Sequence, residues 1–314
     1  MLGKLKIFTG NANPKLANDI CDYLGLPIGK AEVSRFPEGE IFVKVQENVR
    51  GCDVFVVQPT CPSPNDNLME LLIMIDALRR ASAERITAVL PYYGYARQDR
   101  KDQPRVSITA KLVANLITAS GADRLLGMDL HADQIQGFFD IPVDHLYASP
   151  VFIDYINSLK LDNLTIVSPD TGGIKSARQV AQKLNASLAA IDKRRVTGKD
   201  IQVMNIMGEV SGRNLVIVDD IISTAGSLTE AVKALKENGA KSIYAAITHP
   251  ILANPAMDRL ESSPLTELIV TDSIPLTDVV KGRKVNIKVL SVASLLGEAI
   301  KRIYKNESVS SLFN

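Results

Sequence analysis

Residues 216–227 read Val-Ile-Val-Asp-Asp-Ile-Ile-Ser-Thr-Ala-Gly-Ser, an apolar strand-like run that ends in two carboxylates and a loop of small residues opening a helix. Backbone N–H groups of Thr224, Ala225, Gly226 and Ser227 would point at an anion at the helix N-terminus, and Gly226 lets the main chain approach it closely. Asp219 and Asp220 would repel a phosphate. They are suited instead to accept hydrogen bonds from sugar hydroxyls or to help hold a metal. The competing reading is a plain strand-to-helix turn. No GxGxxG or GxxxxGK[ST] occurs in the chain, so neither a Rossmann dinucleotide site nor a P-loop is supported.

Three other groups carry chemistry of their own. His131 stands two residues from both Asp129 and Asp133, so an extended segment would put the three side chains on one face. One imidazole among carboxylates suits Mg2+ rather than structural zinc, against the plainer reading of a hydrogen-bonded loop histidine. Lys193, Arg194 and Arg195 follow the strand-like run Leu188 to Ile191 and, by residue type alone, read as a solvated charge cluster. The polar stretch Tyr92 to Ser107 sets Arg97, Arg100, Lys101 and Arg105 against Asp99 and Asp102. Such a loop is either mobile and solvated or a clamp for phosphate and base. Arg97 can stack on adenine, Gln98 can bond it, and Phe36 offers a second stacking face.

The elements that must position these residues alternate along the chain. Val54 to Val57, Ile86 to Leu90, Leu125 to Met128, Leu164 to Val167, Leu215 to Val218 and Ile243 to Ile247 are the clearest strands, continuously apolar as in a sheet buried on both faces. Leu228, Ala231, Val232 and Leu235 make one helical stripe, and Ile174, Ala177, Val180, Ala181 and Leu184 another. The first helix is expected to begin at Ser227 with Glu230 completing a capping box, and to end at Asn238-Gly239. The order strand, polar loop, helix, charged turn, strand occurs in 53–93 and again in 214–250, which suggests one fold used twice, although any α/β protein repeats this unit. The boundary falls in Pro142 to Pro150, giving domains 1–147 and 148–314, each α/β with a mainly parallel sheet flanked by helices.

Composition excludes several classes. With 314 residues, Lys+Arg 36 against Asp+Glu 35 and 46% hydrophobic residues, the chain is long enough for two cored domains and too balanced in charge to hold nucleic acid by bulk electrostatics. Cys21, Cys52 and Cys61 have no paired spacing and read as buried reduced thiols. The most apolar run, Leu68 to Leu78, carries Glu70 and Asp76 and is far short of the roughly 18 residues a membrane span needs. Lys4 and Lys6 interrupt the only apolar stretch near the N-terminus, so no signal peptide is expected and the protein is placed in the cytoplasm.

Residues 218–227 resemble the phosphoribosyl diphosphate loop of type I phosphoribosyltransferases. Together with SRFPEGE (34–40), NDNLMELL (65–72), YYGYARQDR (92–100), DLHADQIQGFF (129–139), SPDTGG (168–173) and IDKRRV (191–196), the chain resembles the ribose-phosphate diphosphokinase family nearly end to end. That resemblance implies two tandem type I phosphoribosyltransferase-like domains and a transferase of nucleotide biosynthesis. The implied reaction moves the diphosphoryl group of MgATP to the C1 hydroxyl of ribose 5-phosphate. It makes Lys193 and Arg195 the catalytic pair, with Arg195 also toward ribose 5-phosphate. Asp219 and Asp220 go to the ribose hydroxyls, and Ser223, Thr224, Ala225, Gly226 and Ser227 to the 5-phosphate. Phe36, Glu38, Gly39, Glu40, Arg97 and Gln98 go to ATP. His131 and Asp170 go to magnesium, which would set the metal between the domains. It further implies a homohexamer with Phe36 to Glu40 reaching a neighbouring subunit's nucleotide, and activation by phosphate with inhibition by ADP, the latter resting on 308–313 and the loop around Arg100 to Arg105. The chain departs from the family where Ser223 replaces an acidic residue and Ser227 a threonine. Two alternatives remain: a phosphoribosyltransferase, which explains neither YGYARQD nor IDKRR, and a non-catalytic nucleotide-binding homologue that regulates a synthetase.

Overall fold

In the computed structural model, which describes residues 4–195, 202–276 and 278–312, every expected strand lies in a parallel sheet. The elements of the first part are β1 (Leu5–Thr9), α1 (Pro14–Leu24), β2 (Ala31–Arg35), β3 (Ile41–Val45), β4 (Asp53–Val57), α2 (Pro64–Arg80), β5 (Arg85–Leu90), α3 (Thr109–Ser120), β6 (Arg124–Met128) and β7 (Val143–Leu146). Strands β1, β4, β5, β6 and β7 pair in that order, all parallel, while β2 and β3 form a separate antiparallel hairpin. The apolar run of β4 is buried throughout, as its lack of alternation requires.

The second part holds α4 (Ser149–Ser158), β8 (Leu164–Ser168), α5 (Ile174–Lys183), β9 (Ser187–Arg195), β10 (Gln202–Met207), β11 (Asn214–Ile222), α6 (Gly226–Glu237), β12 (Ser242–Pro250), α7 (Ala256–Glu261), β13 (Glu267–Thr271) and β14 (Ile287–Leu290). Its strand order is β10-β9-β8-β11-β12-β13-β14, parallel except for the β9–β10 pair. The succession β8, β11, β12, β13, β14 repeats β1, β4, β5, β6, β7, with a hairpin after the first strand in each. In the second sheet that hairpin joins through β9.

The chain divides into two compact units, and their membership differs from the expected domains. The first comprises the chain through Tyr147, Ser273–Pro275 and the segment from Ser291, so 291–314 does not belong with the rest of 148–314. Helix α8 (Ala293–Tyr304) instead packs on α1. Tyr23 Oη donates to Glu298 at 3.1 Å, and Gly297 is required there because a Cβ would lie 2.5 Å from the Tyr23 ring. Arg85, paired with Asp53, donates to Ile303 O at 3.1 Å and anchors the end of α8. Cys21 and Cys61 are buried as expected, while Cys52 is half-buried in the turn before β4; all three are free thiols.

Candidate active site

Ligands of open α/β sheets bind beyond the C-terminal ends of the strands, where strand order reverses. In the second sheet that point lies between β8 and β11, since the chain leaves β8 toward β9 on one side and returns as β11 on the other. Strand β11 delivers Asp219 and Asp220 to this edge, and the turn after β8 delivers Asp170 beside them. Gly173 N–H donates to Asp170 Oδ1 at 2.9 Å, and Ser168 Oγ donates to the Asp170 carbonyl at 2.7 Å, which folds the turn around the carboxylate. A Cβ on Gly173 would stand 2.9 Å from Ser168 Oγ, so the turn needs a glycine there.

Asp219 and Asp220 are half-buried. Burial, then the Asp220 charge, then that of Asp170, push the Asp219 carboxyl above the ordinary carboxylate range. The edge is therefore rich in carboxylate oxygens, a donor set that fits a hard cation or the hydroxyls of a sugar.

The loop that follows does not start its helix as the capping box requires. Helix α6 begins at Gly226 with Ala225 as N-cap, φ 60° and ψ 1°, and Ala225 brings no side-chain oxygen to the first turn. Ser227 lies inside the helix, so it cannot cap it with Glu230. A left-handed residue followed by a helical one makes a concave nest of consecutive N–H groups, here those of Ala225, Gly226 and Ser227, and the first N–H groups of any helix lack intrahelical partners. This is a better anion cradle than a capped helix would offer. Ser223 is half-buried, and Thr224 and Ser227 are exposed. At its far end α6 stops as expected, with Gly239 at φ 85° and its N–H on Lys236 O.

Lys193, Arg194 and Arg195 form the end of β9, not a loop after it. Strand β9 pairs with β8 only as far as Ala190, so the cationic residues overhang the sheet on a ribbon with β10, in which Lys193 faces Met204 and Arg195 faces Gln202. Their backbone is thus carried past the C-terminal edge of β8, the edge that bears Asp170; their side chains lie outside the described residues.

The first unit presents the other expected residues. The turn of the β2–β3 hairpin holds Phe36, Glu38, Gly39 and Glu40, all exposed. Phe36 and Glu40 are joined by Phe36 N–H to Glu40 O at 2.8 Å, Gly39 takes φ 99°, and the Phe36 ring lies edge-on to Phe42 at 5.6 Å. Arg35 pairs with Asp66 of α2 at 3.2 Å and holds the hairpin's base. Arg97 and Gln98, both exposed, follow β5; Thr109 Oγ1 donates to Gln98 Oε1 at 2.6 Å and Ala110 N–H to Gln98 O at 3.2 Å, closing the polar loop at its neck.

His131 follows β6 in a bend, and the shared face with Asp129 and Asp133 is not formed. Asp129 has φ 38°, and Asp133 opens a 3-10 turn, Asp133–Phe138, so the segment is not extended. Among the described residues no three His, Cys, Asp or Glu side chains come together to hold a metal. A magnesium ion would then take one or two protein ligands and complete its shell with phosphate oxygens and water, which is usual for that ion.

Two functional neighbours carried no sequence signal. His145 is buried in β7 and accepts the Leu130 N–H on Nε2 at 2.9 Å, which anchors the bend bearing His131. Burial pushes its pKa down to about 4, against the opposing pull of Asp133. Because the folded value lies below the unfolded one, its contribution is full above about pH 6.5 and is lost as pH falls toward 4. His145→Asn should flatten the fall of unfolding free energy across that window by on the order of 2 kcal/mol, measured by urea titration at several pH values. An unaltered slope would remove His145 as its source. The second neighbour is Arg259, whose guanidinium reaches the Thr224 carbonyl from α7.

Residues 5–121 match the model of the N-terminal domain of ribose phosphate pyrophosphokinase, and residues 173–314 that of the phosphoribosyl synthetase-associated domain. The ribose-phosphate pyrophosphokinase of Rhizobium meliloti is 57% identical over 99% of this chain and 100% of its own length, and that of Gloeobacter violaceus 54% identical over 99% and 93%. The crystal structure of phosphoribosylpyrophosphate synthetase from Mycobacterium smegmatis superposes with a TM-score of 0.91 at 43% identity, spanning 96% of this chain and 99% of that one. With a duplicated α/β fold, an anion nest beside paired carboxylates and full-length relatives of one kind, the chain belongs to the ribose-phosphate pyrophosphokinase family.

Proposed function

We propose that the protein catalyses diphosphoryl transfer from MgATP to the C1 hydroxyl of ribose 5-phosphate, giving AMP and 5-phosphoribosyl 1-diphosphate. The observation that carries this reading is the end-to-end similarity to ribose-phosphate pyrophosphokinases. The nest at Ala225 to Ser227 receives the 5-phosphate, and Ser223 and Thr224 shape its entrance. Asp219 and Asp220 accept hydrogen bonds from the ribose hydroxyls. Holding the C1 oxygen in line with the β-phosphorus converts a bimolecular encounter into a positioned one. Lys193 and Arg195 supply positive charge to the transferring phosphates, with Arg195 also toward the sugar phosphate. His131 and Asp170 would hold a magnesium ion, which would screen the phosphate charge when bound.

Arg97 and Gln98 take the adenine. Phe36, Glu38, Gly39 and Glu40 complete the nucleotide site of a neighbouring subunit in a homohexamer. Self-association has support in the exposed apolar surface of the first unit: Ile108 at the N-cap of α3 and Leu112 and Leu116 within it are 37%, 52% and 40% exposed. The proposal includes activation by phosphate and inhibition by ADP. Of the segment on which that rests, Ser308 is tied to α8 through Arg302 Nη1 to Ser308 O at 3.1 Å, and Phe313 lies outside the described residues. No helix among the described residues is long and apolar enough to cross a membrane, and the proposed location is the cytoplasm.

A magnesium-dependent assay with ATP and ribose 5-phosphate, with and without inorganic phosphate, tests the reading. Equal amounts of AMP and phosphoribosyl diphosphate are expected. A folded protein that binds ATP and makes neither product is the result that would move it to the class of non-catalytic homologues.

A further inference from the structure

Arg259, an exposed residue, sits in the short helix α7, outside every motif that carries the family resemblance, and its guanidinium meets the loop of 223–227. Nη1 donates to Thr224 O at 2.9 Å. A Cβ built on Gly226 would stand 2.9 Å from the same Nη1 and 3.6 Å from Cζ. These two contacts bracket Ala225, a buried residue held at φ 60°, a conformation that an L-residue with a Cβ rarely adopts and that persists only where its surroundings over-determine it.

The geometry has a direct consequence for the nest. In a planar trans peptide the carbonyl of Thr224 and the N–H of Ala225 point in opposite directions. Fixing Thr224 O on the guanidinium therefore turns the Ala225 N–H away from Arg259, toward the open side of the loop. The acidic neighbours of Arg259 on α7 are bound elsewhere: Asp258 and Glu261 lie 2.7 and 3.3 Å from Arg283. Gly226 thus serves two partners, leaving room for an anion on one side and for the guanidinium on the other.

We propose that Arg259 is a positioning residue of the 5-phosphate cradle, clamping the Thr224 carbonyl so that the left-handed conformation of Ala225 and its N–H nest are preformed before ribose 5-phosphate arrives. Preforming a site removes an ordering cost from binding rather than from chemistry. The inference rests on the reading of 219–227 as the ribose 5-phosphate site.

Steady-state kinetics of the full-length enzyme and of Arg259→Gln, Arg259→Lys, Gly226→Ala and the Gly226→Ala/Arg259→Gln double variant test it, with circular dichroism as a check on folding. Arg259→Gln should raise KM for ribose 5-phosphate on the order of tenfold, with kcat and KM for ATP within about twofold, because only binding of the sugar phosphate uses the nest. Arg259→Lys, which keeps one donor, should recover most of that loss. Gly226→Ala should reproduce it by displacing the guanidinium, and the double variant should be no worse than the poorer single one, since both break the same contact. A KM for ribose 5-phosphate equal to that of the unmodified enzyme, fully additive effects, or equal losses in every parameter overturn the clamp alone. An unmodified enzyme that does not use ribose 5-phosphate at all overturns the site assignment and the clamp with it.

Discussion

Lys193→Ala is expected to lower kcat by on the order of 10³ while KM for ribose 5-phosphate stays within about twofold. In direct in-line transfer between two bound substrates there is little covalent chemistry for the protein to do, so rate comes from positioning and from charge placed where the transition state becomes more negative. A cation that acts chiefly on the transferring phosphates is used in that state and little in the ground state. The backbone around Lys193 suits this role, because β9 outruns its partner β8 after Ala190 and carries the cationic residues beyond the sheet edge on a two-stranded ribbon. Single-turnover kinetics together with calorimetric binding of ribose 5-phosphate separate the two effects. A kcat that does not change takes Lys193 out of the mechanism, and a binding loss as large as the rate loss makes it an ordinary substrate contact.

Asp219→Asn should have effects of opposite sign on function and stability. Losing a charged acceptor for a sugar hydroxyl should raise KM for ribose 5-phosphate on the order of tenfold. The same change removes a carboxyl whose pKa is pushed up from 3.8 by burial, Asp220 and Asp170. A carboxyl with a raised folded pKa is most compatible with the fold when protonated. Its penalty is absent below about pH 4, grows as pH rises above the unfolded value, and levels off once the folded group has also ionised. The Asn variant should therefore match the unmodified protein near pH 4 and exceed it at pH 8 by about 1–2 kcal/mol, a few degrees in Tm. Scanning calorimetry across that range checks the sign. A Tm gap that is independent of pH, or a variant less stable at pH 8, shows that the carboxylates at the end of β11 are not in electrostatic conflict.

The parts of the fold legible in the sequence were those set by short-range pattern. Continuous apolarity at Val54 to Val57 or Leu215 to Val218 marks a strand buried on both faces whatever its partners. The Asp219 to Ser227 loop was legible because a strand end, two carboxylates and small residues lie consecutively. What escaped depends on distant or subtle geometry. Lys193 to Arg195 read by residue type as a solvated charge cluster, since only pairing with β10 makes a strand of them. The Asp129, His131, Asp133 face requires an extended chain, which the left-handed Asp129 breaks. Ser227 and Glu230 have the spacing of a capping box, but the helix starts one residue earlier because Ala225 takes the left-handed cap. The return of α8 to the first unit is written in packing, the Tyr23 ring over Gly297, and in no local motif. Arg259 and His145 act across more than a dozen residues through backbone atoms, which no side-chain pattern records.

The central claim is that the β- and γ-phosphates of ATP leave together for the C1 oxygen of ribose 5-phosphate. The most direct test incubates the enzyme with magnesium, ribose 5-phosphate and ATP labelled in separate reactions at the α-, β- or γ-phosphorus, then resolves the products. The account predicts α label only in AMP, and β and γ label together in phosphoribosyl diphosphate. Label from the γ position alone in a ribose bisphosphate, or β and γ label released as free diphosphate, would contradict it.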